Sequence, residues 1–137
     1  MPKAIARSGE ILDGFTMVEP LHRGGMATLW RVTHPDHARP LIMKLPLILD
    51  GDEAGMIVSF EAEQMIMPRL SGRHVPAFVA SNGIAERPYI VMEYGAGDNL
   101  QQIIESEGPF DPDDVASLIE QVASALDYAT RQGIVHR

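Results

Sequence analysis

Hydrophobic positions follow two different periods along this chain, and the change from one to the other predicts two parts. Up to residue 94, short runs rich in β-branched and aromatic residues alternate with polar turns, which is typical of strands. We expect five antiparallel strands there, at about 14–21, 28–33, 41–45, 77–81 and 87–94. One helix interrupts them at about 56–67, where apolar residues share one face and Pro68 ends the pattern.

Residues 95–99 separate this part from a helical one. The stretch Gly95-Ala96-Gly97-Asp98-Asn99 is small and polar, as flexible links are, so we predict a hinge there. Residues 100–137 then favour helices, the clearest of which begins at Pro112 behind a capping Asp111 and ends at Gly133. Its apolar residues lie on one face: Val115, Leu118, Ile119, Val122 and Leu126.

The order of these elements indicates an α+β fold. A loose lead at 1–13 would precede a first lobe at 14–94, made of the five-stranded antiparallel sheet and its one helix. Residues 100–137 would be the first helices of an incomplete helical lobe. Because the helix from Pro112 has only the segment around Leu100 to Ile104 to lean on, we expect the isolated chain to self-associate through it.

Composition excludes several classes of protein. With 11 basic against 19 acidic residues the net charge is −8, which argues against nonspecific binding to nucleic acids or anionic membranes. The chain has no cysteine, and its histidines lack metal-ligand spacing, so we predict neither a disulfide nor a metal site. We see no signal peptide and no apolar run of the roughly 18 residues that span a membrane, so we expect a cytoplasmic protein.

Two adjacent glycines lie in the turn between the first two strands, in the stretch Leu21-His22-Arg23-Gly24-Gly25-Met26-Ala27. Because glycines have no Cβ, the backbone N–H groups of such a turn can approach a phosphate. The turn leads into a strand, whereas the glycines of a dinucleotide fingerprint open a helix and a P-loop carries its lysine within the turn. The pattern therefore favours a phosphate cover on a hairpin, with its lysine on the next strand.

Two charged residues stand where apolar ones are expected. Lys44 lies inside an apolar strand, and Glu63 shares the helix face of Met56, Phe60 and Met67. Burying either charge alone is costly, and an ion pair between the two residues would offset that cost. The alternatives are a structural lysine whose stem covers apolar surface and a glutamate at the wet edge of the helix.

Together these features resemble the amino-terminal half of a protein kinase domain of the bacterial serine/threonine type. The phrase Arg23-Gly24-Gly25-Met26 is similar to the glycine loop of that group, and Phe60-x-x-Glu63 resembles its helix motif. Gly133-Ile134-Val135-His136-Arg137 resembles the opening of the kinase catalytic loop, whose next residue would be the catalytic aspartate.

The resemblance implies ATP as cofactor and a catalytic pair in which Glu63 holds Lys44 toward the nucleotide phosphates. The chain departs from the family pattern at three positions. His22 and Ala27 stand where the loop usually has glycines, and Ile42 stands where an alanine usually roofs the adenine.

The resemblance also assigns residues to nucleotide binding. They are Leu21, His22, Arg23, Gly24, Gly25, Met26, Ala27, Leu29, Ile42, Lys44, Met92, Glu93, Gly95 and Asp98. Among them Met92 would be the gatekeeper, and the backbone of Glu93 and Gly95 would meet the adenine edge. Asp98 would either reach a ribose or cap the following helix.

Two functions fit this reading. The first is an ATP-dependent serine/threonine protein kinase, with ATP and a protein substrate as partners, represented here by a fragment or truncated product. The Mg²⁺ ligands and the substrate-binding segment would lie beyond Arg137, so we expect no phosphoryl transfer from the 137-residue chain alone. The alternative is a catalytically inactive nucleotide-binding or protein-interaction module on the same scaffold.

Overall fold

A computed structural model describes residues 6–47, 53–83 and 87–136 of the chain. Its strands are β1 Ile11–Leu12, β2 Phe15–Arg23, β3 Ala27–His34, β4 His37–Pro46, β5 Phe78–Asn82 and β6 Tyr89–Glu93. Its helices are α1 Glu53–Ile66, α2 Leu100–Glu107 and α3 Pro112–Arg131, and a 3₁₀ turn at Met67–Arg69 extends α1. The strands form one antiparallel sheet in the order β1-β2-β3-β4-β6-β5. The predicted α+β fold is confirmed.

Strand β1 was not predicted, and the expectation of a loose lead is wrong where this strand forms. Leu12 pairs with Phe15 across a two-residue turn at Asp13 and Gly14, both of which have positive φ. An Asp-Gly pair is a strong hairpin signal, because this turn requires left-handed backbone at both residues. Further upstream, Ala6 belongs to the buried core, whereas residues 1–5 of the predicted lead lie outside the described part of the chain.

The core of the sheet lies on one face, where the alternation of β2, β3, β4 and β6 places their apolar residues. Trp30, Met43 and Val91 form one row across three strands, and Met17, Val32 and Leu41 form the row beside it. Each of these six residues is at least 94% buried. Because side chains alternate along a strand, residues 42 and 44 of β4 point to the opposite face.

Helix α1 covers that opposite face. Phe60 is buried, and Met56, Glu63 and Met67 on the predicted face are each half-buried. The helix begins at Glu53, three residues before the predicted start, and its α-helical part ends at Ile66, before Pro68. The predicted packing face is therefore confirmed.

The second part contains the helices α2 and α3. The Asp111 side chain accepts from the Asp113 N–H at 3.0 Å, and the Gly133 backbone is left-handed with φ 74°, so both predicted ends of α3 are confirmed. The cap of α2 is Asn99, not Asp98. Asn99 accepts from the Gln102 N–H at 2.9 Å and Gln102 bonds back to the Asn99 N–H, a capping box.

Candidate functional site

A cleft of about 420 Å³ lies beneath the turn that joins β2 to β3. The turn, β4, α1 and β6 all contribute to it. Every residue that lines it was named from the sequence: His22, Gly24, Gly25, Met26, Ala27, Leu29, Ile42, Lys44, Glu63 and Met92. The structure thus brings ten of the predicted site residues together around one cavity.

The register of three strands explains this convergence. Lys44 pairs with Leu29 on β3, and Ile42 pairs with Met92 on β6, so these four side chains share the sheet face opposite the core. The apolar end of the cleft, with Ile42 and Met92, therefore lies one pleat away from the cationic end at Lys44. A flat apolar ring with a charged tail fits such a surface.

The glycine turn is built without a conformational need for glycine. Gly24 donates its N–H to the Ala27 carbonyl at 2.9 Å, and Leu47 donates to the Met26 carbonyl at 2.9 Å, which holds the turn against the end of β4. Neither Gly24 nor Gly25 has positive φ, and a Cβ at Gly25 would meet no atom within 4 Å. The space beside Gly25 is therefore open to a bound ligand. A phosphate needs such space to approach the backbone N–H groups.

The predicted ion pair between Lys44 and Glu63 is formed. The Lys44 ammonium donates to both carboxylate oxygens of Glu63, at 2.7 and 2.8 Å. The two side chains are 28% and 33% exposed, so solvent screens the pair and its contribution to stability is about 1 kcal/mol or less. The pair therefore matters more for where it holds the ammonium group, in the lining of the cleft, than for stability.

The remaining predicted residues do not line the cleft. Leu21 is half-buried and Arg23 exposed in β2, while Gly95 and Asp98 are exposed between β6 and α2. Glu93 gives its N–H to the Ala77 carbonyl at 2.9 Å. A nucleotide contact from Glu93 would therefore come from its carbonyl. Because Asn99 caps α2, the Asp98 side chain has no capping role there and is exposed.

Within the described residues, no three histidine, aspartate or glutamate side chains are grouped so that they could hold a metal ion. None of the helices in that part of the chain is long and apolar enough to cross a membrane.

Comparison with known proteins identifies the family to which this chain belongs. The protein kinase domain family matches residues 15–137, nine-tenths of the chain. The chain belongs to the protein kinase family. The lysine and glutamate pair, the glycine turn above it and the surrounding sheet are thus the amino-terminal lobe of a kinase domain.

Individual relatives agree with this assignment. The chain is 36% identical to the serine/threonine-protein kinase PknK of Mycobacterium tuberculosis over 132 residues, which cover 93% of this chain and 12% of PknK. The solved kinase domain of Mycobacterium tuberculosis PknI superposes with a TM-score of 0.79 at 27% identity, over 98% of this chain and 54% of that one. The chain therefore spans about an eighth of PknK and about half of the solved PknI chain.

A more distant structure shares the fold alone. Rad53 in complex with AMP-PNP has a TM-score of 0.74 at 19% identity, over 90% of this chain and 32% of that one.

Proposed function

We propose that this chain is the ATP-binding lobe of a serine/threonine protein kinase, which transfers the γ-phosphoryl group of ATP to a hydroxyl of a protein. The observation that carries the proposal is the contact of Lys44 with Glu63 at 2.7 Å, in the lining of a cleft to which the glycine turn also contributes. In protein kinases this pair must be in place for phosphoryl transfer, because catalysis depends on holding the phosphates and neutralising their charge.

Each part of the cleft has a role in this proposal. The amides of the turn at Gly24 and Gly25 would cover the phosphates, and Lys44 would contact the α and β phosphates. Ile42 and Met92 would lie against the adenine ring. At the edge of the cleft, the Glu93 carbonyl and the Gly95 backbone would meet the adenine edge, and Asp98 would meet the ribose.

Bound ATP would supply the phosphoryl group, and Mg²⁺ would neutralise charge on its phosphates. In protein kinases an aspartate of the Asp-Phe-Gly motif and an asparagine of the catalytic loop hold Mg²⁺, and the catalytic-loop aspartate accepts the hydroxyl proton. These motifs follow the His-Arg pair of the family pattern, and here that pair is His136 and Arg137. The 137 residues would therefore bind nucleotide and leave the transfer step to groups outside them.

Nucleotide binding tests the first half of the proposal. AMP-PNP titrated into the purified chain by calorimetry should bind with Mg²⁺ present, and Lys44→Met should weaken binding at least about tenfold, as the loss of a charge-assisted contact does. Lys3→Met is the matched control, since these are the only two lysines of the chain. Equal affinity in the wild type and Lys44→Met would refute the role of Lys44.

A second variant tests whether the glycine turn covers the phosphates of the bound nucleotide. Gly25→Val should leave the fold intact, because the added atoms point into open space and the backbone needs no left-handed φ. We expect it to weaken AMP-PNP binding by blocking the amides. Gly55→Val, at a helical glycine that also has open space, is the comparison and should leave affinity unchanged.

The transfer step has its own test. The 137-residue chain incubated with labelled ATP, Mg²⁺ and a generic protein acceptor should incorporate no label. Label that appears with the wild type and disappears with Lys44→Met would show that the chain carries its own catalytic groups. A longer gene product that contains this chain should incorporate label, and a longer product that binds AMP-PNP without doing so would support the inactive module instead.

A further inference from the structure

Helix α1 is attached to the sheet by few contacts. Phe60 is its only buried residue among those whose side chains the structure describes, and Ile57, Val58 and Met65 are 39%, 64% and 75% exposed. The screened pair between Lys44 and Glu63 is too weak to fix the rotation of the helix by itself. With Phe60 buried and Met56 and Met67 only half-buried beside it, the rotation of the helix is weakly fixed, so a further contact helps to aim Glu63.

Gln64 supplies a second contact. Its side-chain amide donates from Nε2 to the backbone carbonyl of Tyr89 on β6 at 3.2 Å. The next residue of that strand, Ile90, pairs with Lys44 on β4. The hydrogen bond therefore links Gln64, the residue next to Glu63, to β6, the strand next to Lys44. Like the ion pair, it connects α1 to the sheet.

Gly83 leaves the room that this side chain occupies. A Cβ at Gly83 would lie 2.5 Å from Oε1 of Gln64, which is too close for two unbonded atoms. The backbone of Gly83 does not have positive φ, so the turn itself would accept another residue. An alanine there would displace the Gln64 amide, which is the end of a flexible side chain, and the bond to Tyr89 would be lost.

We propose that Gln64, seated against Gly83, is a positioning residue that holds α1 in the rotation where Glu63 meets Lys44. Its effect on the ion pair stands on this geometry alone, whereas its effect on nucleotide binding rests on the proposed function. The substitution Gln64→Met tests it, because methionine has similar length and helix propensity but no N–H to donate.

The ion pair can be read out without nucleotide. A carbodiimide joins a carboxylate to an amine only when the two are in contact, and Lys44 is one of two lysines in the chain. Mass spectrometry of the digested wild-type protein should show a Lys44–Glu63 cross-link. In Gln64→Met its yield should fall about three- to tenfold, the shift expected when one neutral hydrogen bond is lost. Met65→Gln, the reverse exchange at the exposed next residue, should leave the yield unchanged.

A double-mutant cycle separates positioning from general stabilisation. Gly83→Ala should lower the cross-link yield in the wild type but have no further effect in Gln64→Ala, where the displaced amide is absent. The urea midpoint of each variant is measured alongside. A residue that only stabilised the fold would lower the midpoint and leave the cross-link yield of the folded protein unchanged, and that result would overturn the proposal, as would additive effects of the two variants.

AMP-PNP affinity then tests whether the positioning of Glu63 by Gln64 affects nucleotide binding. Gln64→Met should weaken binding in the wild type and have no effect in Glu63→Gln, where no carboxylate remains to be aimed. If the cross-link yield falls in Gln64→Met while the wild type binds no AMP-PNP, the positioning role stands and the proposed function fails. If the wild type binds AMP-PNP through Lys44 and Gln64→Met changes neither affinity nor cross-link yield, the positioning role fails and the proposed function stands.

Discussion

The two parts of the chain differ in how far they bury their hydrophobic side chains. The sheet has a core of its own, in which Val32, Met43 and Val91 have no exposed surface. Helices α2 and α3, all of whose residues the structure describes, contain no buried residue. An amphipathic helix gains its stability mainly by packing its apolar face, so the first part folds on its own contacts and the second lacks most of them.

What holds the second part is a small set of contacts at the end of α3. Arg69 donates from Nη2 to the Gln132 carbonyl at 2.6 Å, and the Ser71 N–H donates to the Tyr128 hydroxyl at 3.0 Å. Ile134, just after the helix, is 8% exposed. These contacts attach α3 to the segment that follows α1, whereas Val115 and Ile119 in its first turns remain exposed. Helix α3 is therefore well formed although its main packing surface is uncovered.

A buried substitution in each part should give the sharpest contrast. Met43→Ala removes a fully buried side chain from the middle of the sheet, and we expect it to lower the free energy of unfolding by about 2–5 kcal/mol. Ile119→Ala changes a residue that is 62% exposed and, at a protein concentration at which the chain is monomeric, should change the free energy of unfolding by less than about 0.5 kcal/mol.

Urea unfolding followed by fluorescence is the measurement, because the single tryptophan, Trp30, lies in the sheet core beside Met43. Circular dichroism at 222 nm reports the helices in the same titration. Similar effects of the two substitutions would contradict the claim that only the sheet has a core.

The exposed face of α3 should drive self-association of the isolated chain. Val115, Ile119, Val122 and Leu126 are 39%, 62%, 52% and 46% exposed, and burying such a side chain stabilises by up to about 1.5–3 kcal/mol. Sedimentation velocity over a range of concentrations should show dimers or larger species. The double variant Ile119→Gln and Val122→Gln should shift the chain to monomer, without changing its net charge.

The matched control places the same side chains on the other side of the helix. Ser117→Gln and Ser124→Gln lie roughly opposite the apolar face, at 100° per residue, and should leave association unchanged. A wild-type chain that stays monomeric at every concentration would mean that the face needs no partner.

The sequence predicted best where one physical signal dominated. The period-2 alternation placed the strands, and the ends of α3 followed from Asp111 and Gly133, because caps act over a few neighbouring residues. The Lys44–Glu63 contact could be predicted because two charges on apolar faces needed each other. Strand β1 was missed although Asp13 and Gly14 carry a hairpin signal, since a two-residue strand has too few positions to show a period.

Other features could not be predicted because they depend on distant residues meeting. Gln64 looks like any polar helix residue, and its role appears only when β6 lies beside it and Gly83 leaves it room. The cap of α2 was missed for a local reason: Asp98 and Asn99 each have a glutamine three residues on, but Gln101 bonds to Glu105 whereas Gln102 closes the capping box with Asn99. The exposure of Glu63 at 33% depends on how far α1 stands off the sheet, which no local pattern encodes.

The tyrosines of the two parts should titrate in opposite directions. Burial, with a hydrogen bond to the Asp13 carboxylate at 2.9 Å, raises the pKa of Tyr89 in the sheet to about 12. Hydrogen bonds from Ser71 favour the phenolate of Tyr128 on α3 and lower its pKa below the ordinary 10. Ultraviolet titration should show an early step that Tyr128→Phe removes and a late step that Tyr89→Phe removes. A single step near pH 10 would contradict both environments.

These shifts predict how stability changes with pH. The raised pKa means that the folded state keeps the Tyr89 proton longer, so its contribution is fully present below pH 10 and is lost between pH 10 and 12, by about 3 kcal/mol at most. The lowered pKa of Tyr128 acts in the opposite direction. The urea midpoint should therefore fall less steeply above pH 10 in Tyr89→Phe than in the wild type.

The smallest expected effect on stability concerns the ion pair between Glu10, in the segment before β2, and Arg87. Burial favours the neutral form of Glu10, but the Arg7 N–H and the Arg87 guanidinium outweigh it, so the pKa of Glu10 is lowered from 4.5. The contribution of this pair is therefore present above pH 4.5 and is lost as the pH falls through the lowered value. Because both side chains are partly exposed, at 21% and 31%, Glu10→Gln should cost about 1 kcal/mol or less at pH 7.

The difference in urea midpoint between Glu10→Gln and the wild type should shrink as the pH falls below 4.5, because the protonated wild-type side chain also carries no charge. Glu19→Gln breaks a pair with Arg31 in which both partners are more exposed, at 53% and 38%, and should cost less than Glu10→Gln at pH 7. A Glu10→Gln difference that is unchanged from pH 7 to acid would show that the lead is held by Ala6 and the β1 hairpin, with no contribution from this charge.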